Sequence, residues 1–166
     1  MVRTGIGYDS HRFAPGGPML LGGVEIPCDS RLVGHSDADA VCHAITDALL
    51  GAAALGDIGE LFPDTDPSNK GRDSIFMLKK AVQLVLDAGY AIGNVDVTVI
   101  AQKPKIGPHR DAILSSLARA LGVSEMQVFV KGKTNEGLGW IGCEEGLAVM
   151  AVATLMKQRP AAPQDA

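Results

Sequence analysis

The sequence predicts an α/β fold of the α+β sandwich kind, a sheet with helices on one face. Three observations carry that prediction. Val95-Asp96-Val97-Thr98-Val99-Ile100 alternates apolar and polar residues with the period of two expected of a half-buried strand. Val41, Ile45, Ala48, Leu49 and Ala52 recur at helical spacing and form one apolar stripe. Through the second half of the chain, strand and helix signals take turns, which suits helices laid over a sheet.

Taken in order, residues 2–7 form a short glycine-rich strand that runs into Tyr8-Asp9-Ser10-His11. Met19-Leu20-Leu21 and Val24-Glu25-Ile26 flank Gly22-Gly23, a two-residue hairpin signal. The first helix is expected to start at Ser36. Asp39 stands three residues later in a capping-box arrangement, and Asp37 adds a charge favourable to a helix N-terminus. Residues 56–72 read as a loop, long enough to suggest a functional role. A second helix is expected from Asp73 to Ala88, stopped by Gly89. The strand Val95–Ile100 precedes a third helix, Ala112–Leu121, which ends at Gly122. Val128–Val130 reads as a strand and Glu144–Lys157 as a final helix. Residues 1–157 are expected to make one domain, and the proline-containing tail 158–166 is expected to be disordered.

Composition narrows the function. The 166 residues are 46% hydrophobic and 4% aromatic, enough for a core packed from small side chains. A net charge of -4 provides no basic footprint for nucleic acid. No apolar run approaches the roughly 20 residues of a membrane span. The start, Met1-Val2-Arg3-Thr4-Gly5, lacks the apolar stretch of a secretory signal. Cys28, Cys42 and Cys143 have no CxxC spacing and read as free thiols. The expectation is a cytoplasmic protein.

Four places could hold chemistry. Asp9 and His11 are two apart on an extended segment and so point to one side. With His43 they make a carboxylate and two imidazoles, a three-ligand set for catalytic zinc. Asp39 and Asp47 lie four residues either side of His43, where a carboxylate could hold its second ring nitrogen. The same residues also read as ordinary loop polars and a helix histidine paired with Asp47. Gly34-His35-Ser36-Asp37 is fully explained as a turn and a cap, yet it also sets a histidine at a helix N-terminus, where anions bind.

The third place is Lys131-Gly132-Lys133-Thr134-Asn135-Glu136. It ends like a Walker loop, but position 127, where the first glycine would stand, is glutamine. Gly137-x-Gly139-x-x-Gly142 spells a dinucleotide fingerprint without the following βαβ unit or acidic residue. What remains is a corner for phosphate and a divalent cation. The fourth is Ala101-Gln102-Lys103-Pro104-Lys105-Ile106-Gly107-Pro108-His109-Arg110. It reads either as a ligand loop beyond a strand end or as a plain basic surface loop.

Together these strings are far more specific than any one of them. G-x-G-Y-D-S-H-R-F at 5–13, G-H-S-D-A-D at 34–39, G-D-I-G-E-L-F-P-D-T-D at 56–66, A-Q-K-P-K at 101–105 and T-N-E-G-L-G at 134–139 occur in one order. From Arg3 to Lys157 the chain resembles the 2-C-methyl-D-erythritol 2,4-cyclodiphosphate synthase family of the non-mevalonate isoprenoid pathway.

The resemblance implies a homotrimer around a threefold axis, with active sites between subunits. Asp9, His11 and His43 would ligate zinc, and Glu136 magnesium or manganese. His35 and Thr134 would stabilise the transition state alongside Glu136. His35, Ser36, Asp57-Ile58-Gly59 and Leu61-Phe62-Pro63-Asp64-Thr65 would bind the tetritol phosphate. Ala101-Gln102-Lys103-Pro104-Lys105-Ile106-Gly107 with Gly132-Lys133-Thr134 would bind cytidine and its phosphates, and Asn135 and Trp140 would also touch substrate.

There are departures. Cys143 and Trp140 stand where some relatives have an arginine and a phenylalanine lining a central trimer cavity. Lys133 and Asn135 stand where relatives often carry small or hydroxyl residues. The rival readings are a zinc phosphohydrolase, which would release inorganic phosphate, and a non-catalytic metal- or nucleotide-binding trimer.

Overall fold

The structure, a computed structural model, describes residues 1–158. The expected disorder of the tail falls, beyond Gln158, outside the described residues. Gln158 itself is tied down, its N–H donating to the Gly89 carbonyl at 2.9 Å.

Five strands form the main sheet: β1 (Val2–Pro15), β4 (Ser30–Val33), β5 (Tyr90–Ile100), β6 (Val128–Lys133) and β7 (Gly146–Lys157). Their order is β4-β1-β7-β5-β6, antiparallel except for the β5–β6 pair. The hairpin β2 (Met19–Leu21) and β3 (Val24–Ile26) forms its own small sheet. Its turn is Gly22-Gly23, with φ of +62° and +74°, the left-handed pair that a two-residue hairpin turn requires.

One expectation fails outright. Glu144–Lys157 is not a helix. Gly146–Lys157 is β7, the central strand, paired with β1 on one side and β5 on the other. Gly146 to Val149 are all buried, so the start of this segment shows no alternation to mark it as strand. Alanine, leucine and methionine favour helix locally, but pairing on both sides overrides that preference.

The helices are α1 (Ala40–Ala53), α2 (Ile58–Leu61), α3 (Ser74–Asp87), α4 (Arg110–Leu121) and α5 (Gly139–Gly142). α1 packs on β1 and β7, while α4 links the parallel strands β5 and β6. The core gathers Val41, Ile45 and Leu49 of α1 with Val97, Val99, Val149 and Leu155 of the sheet. The other face of the sheet is open. Ile6, Tyr8, Met150, Val152, Met156 and Phe129 are exposed there. Within the long segment 56–72 the structure finds α2 and a 3-10 turn at Pro67–Asn69, so it is less irregular than expected.

The start of α1 also differs from expectation. The cap is Asp39, not Ser36. The Asp39 carboxylate accepts from the N–H groups of Val41 and Cys42. It is wholly buried, and it also accepts from Gly22 N at 2.8 Å and Gly23 N at 2.6 Å. One side chain thus ends the orphan donors of a helix and pins the hairpin turn to it.

Candidate active site

Two glycines of β1 decide where the site lies. A Cβ at Gly5 would stand 2.1 Å from the Ala48 carbonyl oxygen, and one at Gly7 would stand 1.9 Å from that of Ala44. Bare backbone therefore lets α1 lie directly against the strand. Alternate strand residues share a face, so Asp9 and His11 continue the Gly5-Gly7 row past the beginning of α1. His43, in the first turn of α1, meets them there.

Asp9 Oδ2 is 2.9 Å from His43 Nδ1 and 3.0 Å from His11 Nε2, and the two nitrogens are 3.5 Å apart. Tetrahedral zinc with bonds of about 2.0–2.1 Å separates neighbouring donors by roughly 3.3 Å, close to this triangle. The other ring nitrogens are held. His11 Nδ1 donates to the Val33 carbonyl at 2.9 Å. That carbonyl can only accept, so neutral His11 turns a lone pair on Nε2 towards the Asp9 carboxylate. These two atoms, 3.0 Å apart, then share either a proton, on charged His11, or a metal cation. The donor set therefore fits a metal ion.

The expected partners of His43 are different. Its Nε2 faces Ser74 Oγ at 2.8 Å and Ser36 Oγ at 3.0 Å, not Asp39 or Asp47. Asp39 is occupied in capping, and Asp47 accepts from Ile58 N at 2.8 Å, anchoring the following loop. Burial raises the pKa of Asp47, with further help from the charges of Asp57 and Asp9.

The same contacts shift the titration of Asp9 and His11. Burial alone would push the Asp9 carboxyl up. Hydrogen bonds from His11 and His43, and their charges, outweigh it and hold Asp9 far below the ordinary carboxylate range. Burial likewise disfavours the charged form of His11. Its bond to Asp9, the Asp9 charge and the Val33 carbonyl outweigh burial and raise it above the ordinary 6.5.

A cleft of about 380 Å³ opens over the triad. His35, Ser36, Ile58, Gly59, Phe62, Pro63, Asp64 and Thr65 line it, and Asn69 and Met77 join them. Asp57 and Leu61 do not line it. Asp57 caps α2, its carboxylate accepting from Glu60 N.

The second corner lies elsewhere in the chain. Ala101–Gly107 follow β5, and Gly132–Glu136 span the end of its parallel neighbour β6. Ala101 N donates to the Lys133 carbonyl at 2.8 Å, and Asn135 N donates to Gln102 Oε1 at 3.0 Å. Glu136 has a φ of 50°, in the left-handed region that favours glycine, and its carboxylate accepts from the Thr134 hydroxyl. Lys103 is paired with Glu144 at 3.2 Å. None of these residues lines the triad cleft. Trp140 lines a separate depression with Ser10, His11, Arg12, Phe13 and Glu145.

A family model described as "YgbB family" matches residues 2–156. The chain belongs to the YgbB family. A relative from Gemmatimonas aurantiaca named 2-C-methyl-D-erythritol 2,4-cyclodiphosphate synthase is 66% identical over 156 residues, covering 94% of each chain. A synthase of the same name from Cupriavidus metallidurans is 56% identical, covering 99% of this chain and 97% of its own. Among solved structures, the bifunctional IspDF of Campylobacter jejuni superposes on this YgbB chain with a TM-score of 0.91 at 43% identity. That match covers 95% of this chain and 42% of the longer one. The IspF–CDP complex of Plasmodium falciparum gives a TM-score of 0.85 at 38% identity, covering 95% and 97%.

Sequence reasoning about this YgbB chain missed Ser74, Asn69 and Met77. All three come from the segment after residue 66, far from the triad along the chain. No spacing rule reaches across such a gap. The one local signal was the cap Asp73, which sets Ser74 in the first turn of α3.

Proposed function

We propose that the chain is a cytoplasmic lyase that converts 4-diphosphocytidyl-2-C-methyl-D-erythritol 2-phosphate to 2-C-methyl-D-erythritol 2,4-cyclodiphosphate and CMP. The observation that carries this reading is the convergence of Asp9, His11 and His43 at one cleft. In its favour too are the relatives of the same name and the solved relative bound to CDP.

The 2-phosphate oxygen attacks the β-phosphorus, the bond from β-phosphorus to the α-phosphate oxygen breaks, and CMP leaves with that oxygen. Zinc on Asp9, His11 and His43 and magnesium or manganese on Glu136 would supply Lewis acidity and offset the repulsion between anionic phosphates. The nucleophile is already ionised, so no side chain need act as a base. The chain's work is alignment and electrostatics. His35 and Ser36 stand at the cleft to donate to the tetritol phosphate, and the loop from Ile58 to Thr65 walls the sugar from water. Thr134, whose hydroxyl donates to Glu136 in the free chain, would turn that hydrogen to the diphosphate once a cation occupies the carboxylate. Ala101–Gly107 and Gly132–Thr134 receive cytidine and its phosphates through backbone groups on rigid strand ends.

The two corners belong to one site if chains associate as a homotrimer. The open sheet face, with Ile6, Tyr8, Met150, Val152 and Met156 exposed, favours association about a threefold axis. Metal analysis of the purified protein, alongside CMP and phosphate release from the cytidyl substrate, tests the reading. Stoichiometric CMP without inorganic phosphate is expected. Phosphate release would favour a phosphohydrolase, and binding of CMP without turnover a sensor.

A further inference from the structure

We infer that Ser74 and Asp37 are positioning residues of the metal centre, a hydrogen-bonded relay that sets the tautomer of His43 and presents its Nδ1 to the cation. The inference rests on the reading of Asp9, His11 and His43 as a metal site.

His43 turns Nδ1, not Nε2, towards Asp9 Oδ2 at 2.9 Å. A ligating nitrogen must offer its lone pair, so the proton of the neutral ring belongs on Nε2, and that N–H needs an acceptor. Two hydroxyls are within reach, Ser74 Oγ at 2.8 Å and Ser36 Oγ at 3.0 Å. A hydroxyl can donate or accept, and the destination of its own hydrogen decides which. Ser74 Oγ is hydrogen-bonded to Asp37 Oδ1, and a carboxylate only accepts. The Ser74 hydrogen therefore points at Asp37, and an oxygen lone pair is left for His43 Nε2–H.

The far end of the relay is fixed as well. Asp37 Oδ2 accepts from Ser74 N at 2.9 Å, and Oδ1 accepts from Asp39 N at 3.2 Å. Ser74 is wholly buried, so water does not compete for its hydroxyl. The arrangement joins the turn before α1 to the first residue of α3 across the ligand. It also frees the hydroxyl of Ser36, which lines the cleft, to donate to a bound phosphate.

The test uses Ser74→Ala and Asp37→Asn in the full-length protein. Alanine is well tolerated in a first helical turn, and Asp37→Asn keeps shape and one acceptor, so both variants are expected to fold. Zinc dissociation constants are measured by competition with a chelating dye, and the visible spectrum of the cobalt-substituted protein reports ligand geometry. Partners behind a ligating histidine are worth about 10–100-fold in metal affinity. Ser74→Ala is expected to weaken zinc by that factor and to shift the cobalt bands, and Asp37→Asn to weaken it by roughly threefold or more. Unchanged zinc affinity and cobalt spectra in folded variants, with only a lower melting temperature, would assign Ser74 and Asp37 to the packing of α3 and overturn the relay alone. A wild-type protein that binds no zinc would overturn the relay and the metal reading together.

Discussion

Replacing Asp39 by alanine should cost the protein about 4 kcal/mol, and the structure says where each part comes from. Asp39 caps α1 through Val41 N and Cys42 N, and loss of such a cap costs about 1 kcal/mol. Gly22 N is buried and would lose Asp39, its one partner among the described residues, at about 2 kcal/mol, whereas Gly23, exposed at the turn, can turn to water for about 1 kcal/mol. For a domain of this size that total lowers the melting temperature by about 8–16 °C.

Asp39→Asn separates the contributions. Gly22, Val41 and Cys42 all donate to Oδ1, and Gly23 donates to Oδ2. An asparagine whose oxygen takes the Oδ1 place keeps three of these four bonds and turns an N–H₂ against Gly23 N–H. Its expected cost is about 1–2 kcal/mol. Urea unfolding at one fixed chain concentration, read by far-ultraviolet dichroism, measures both variants without confusion from assembly. Zinc content is read on the same samples, because a loosened start of α1 moves His43. An alanine variant within about 1 kcal/mol of wild type, or an asparagine variant as damaged as the alanine one, would refute the hub role of Asp39.

Three further outcomes are expected. His43→Ala should lose most of its zinc while keeping its oligomeric state in sedimentation, because Asp9 and His11 alone leave an incomplete site; undiminished zinc in metal analysis would remove His43 from the ligand set. Where His11→Ala and Lys105→Ala each abolish activity alone, the two chains in equal amounts should regain roughly a quarter of wild-type CMP release when exchanged into mixed trimers, since that share of sites draws both intact halves from different chains. No recovery in verified mixed trimers would place both halves in one subunit. Glu136→Gln should keep zinc and most CMP affinity but lose about 100-fold in turnover, since a neutral amide holds a hard cation poorly; near-normal CMP release would leave Glu136 as a turn residue only.

Much of this protein is legible locally. The hairpin at Gly22-Gly23, the stripe of α1 and the alternation of Val95–Ile100 are properties of a few neighbouring residues, and the structure keeps all three. The family follows from motif strings alone, because five short strings in fixed order are improbable without common descent. The triad was readable as a possibility, since the period of a strand puts Asp9 and His11 on one side whatever lies around them.

What the sequence left open depended on partners distant along the chain. The start of α1 moved from Ser36 to Asp39 because Asp39 answers donors in a hairpin 16 and 17 residues away. His43 took Ser74 as its partner rather than a carboxylate on its own helix, because α3 docks beside α1. The last segment became strand instead of helix for the same reason. Gly146–Lys157 carries little pattern of its own, and its backbone donors and acceptors are satisfied by β1 on one edge and β5 on the other. Local propensity is worth a fraction of a kcal/mol per residue, while an unpaired buried backbone group costs more than that each time, so the tertiary sheet decides.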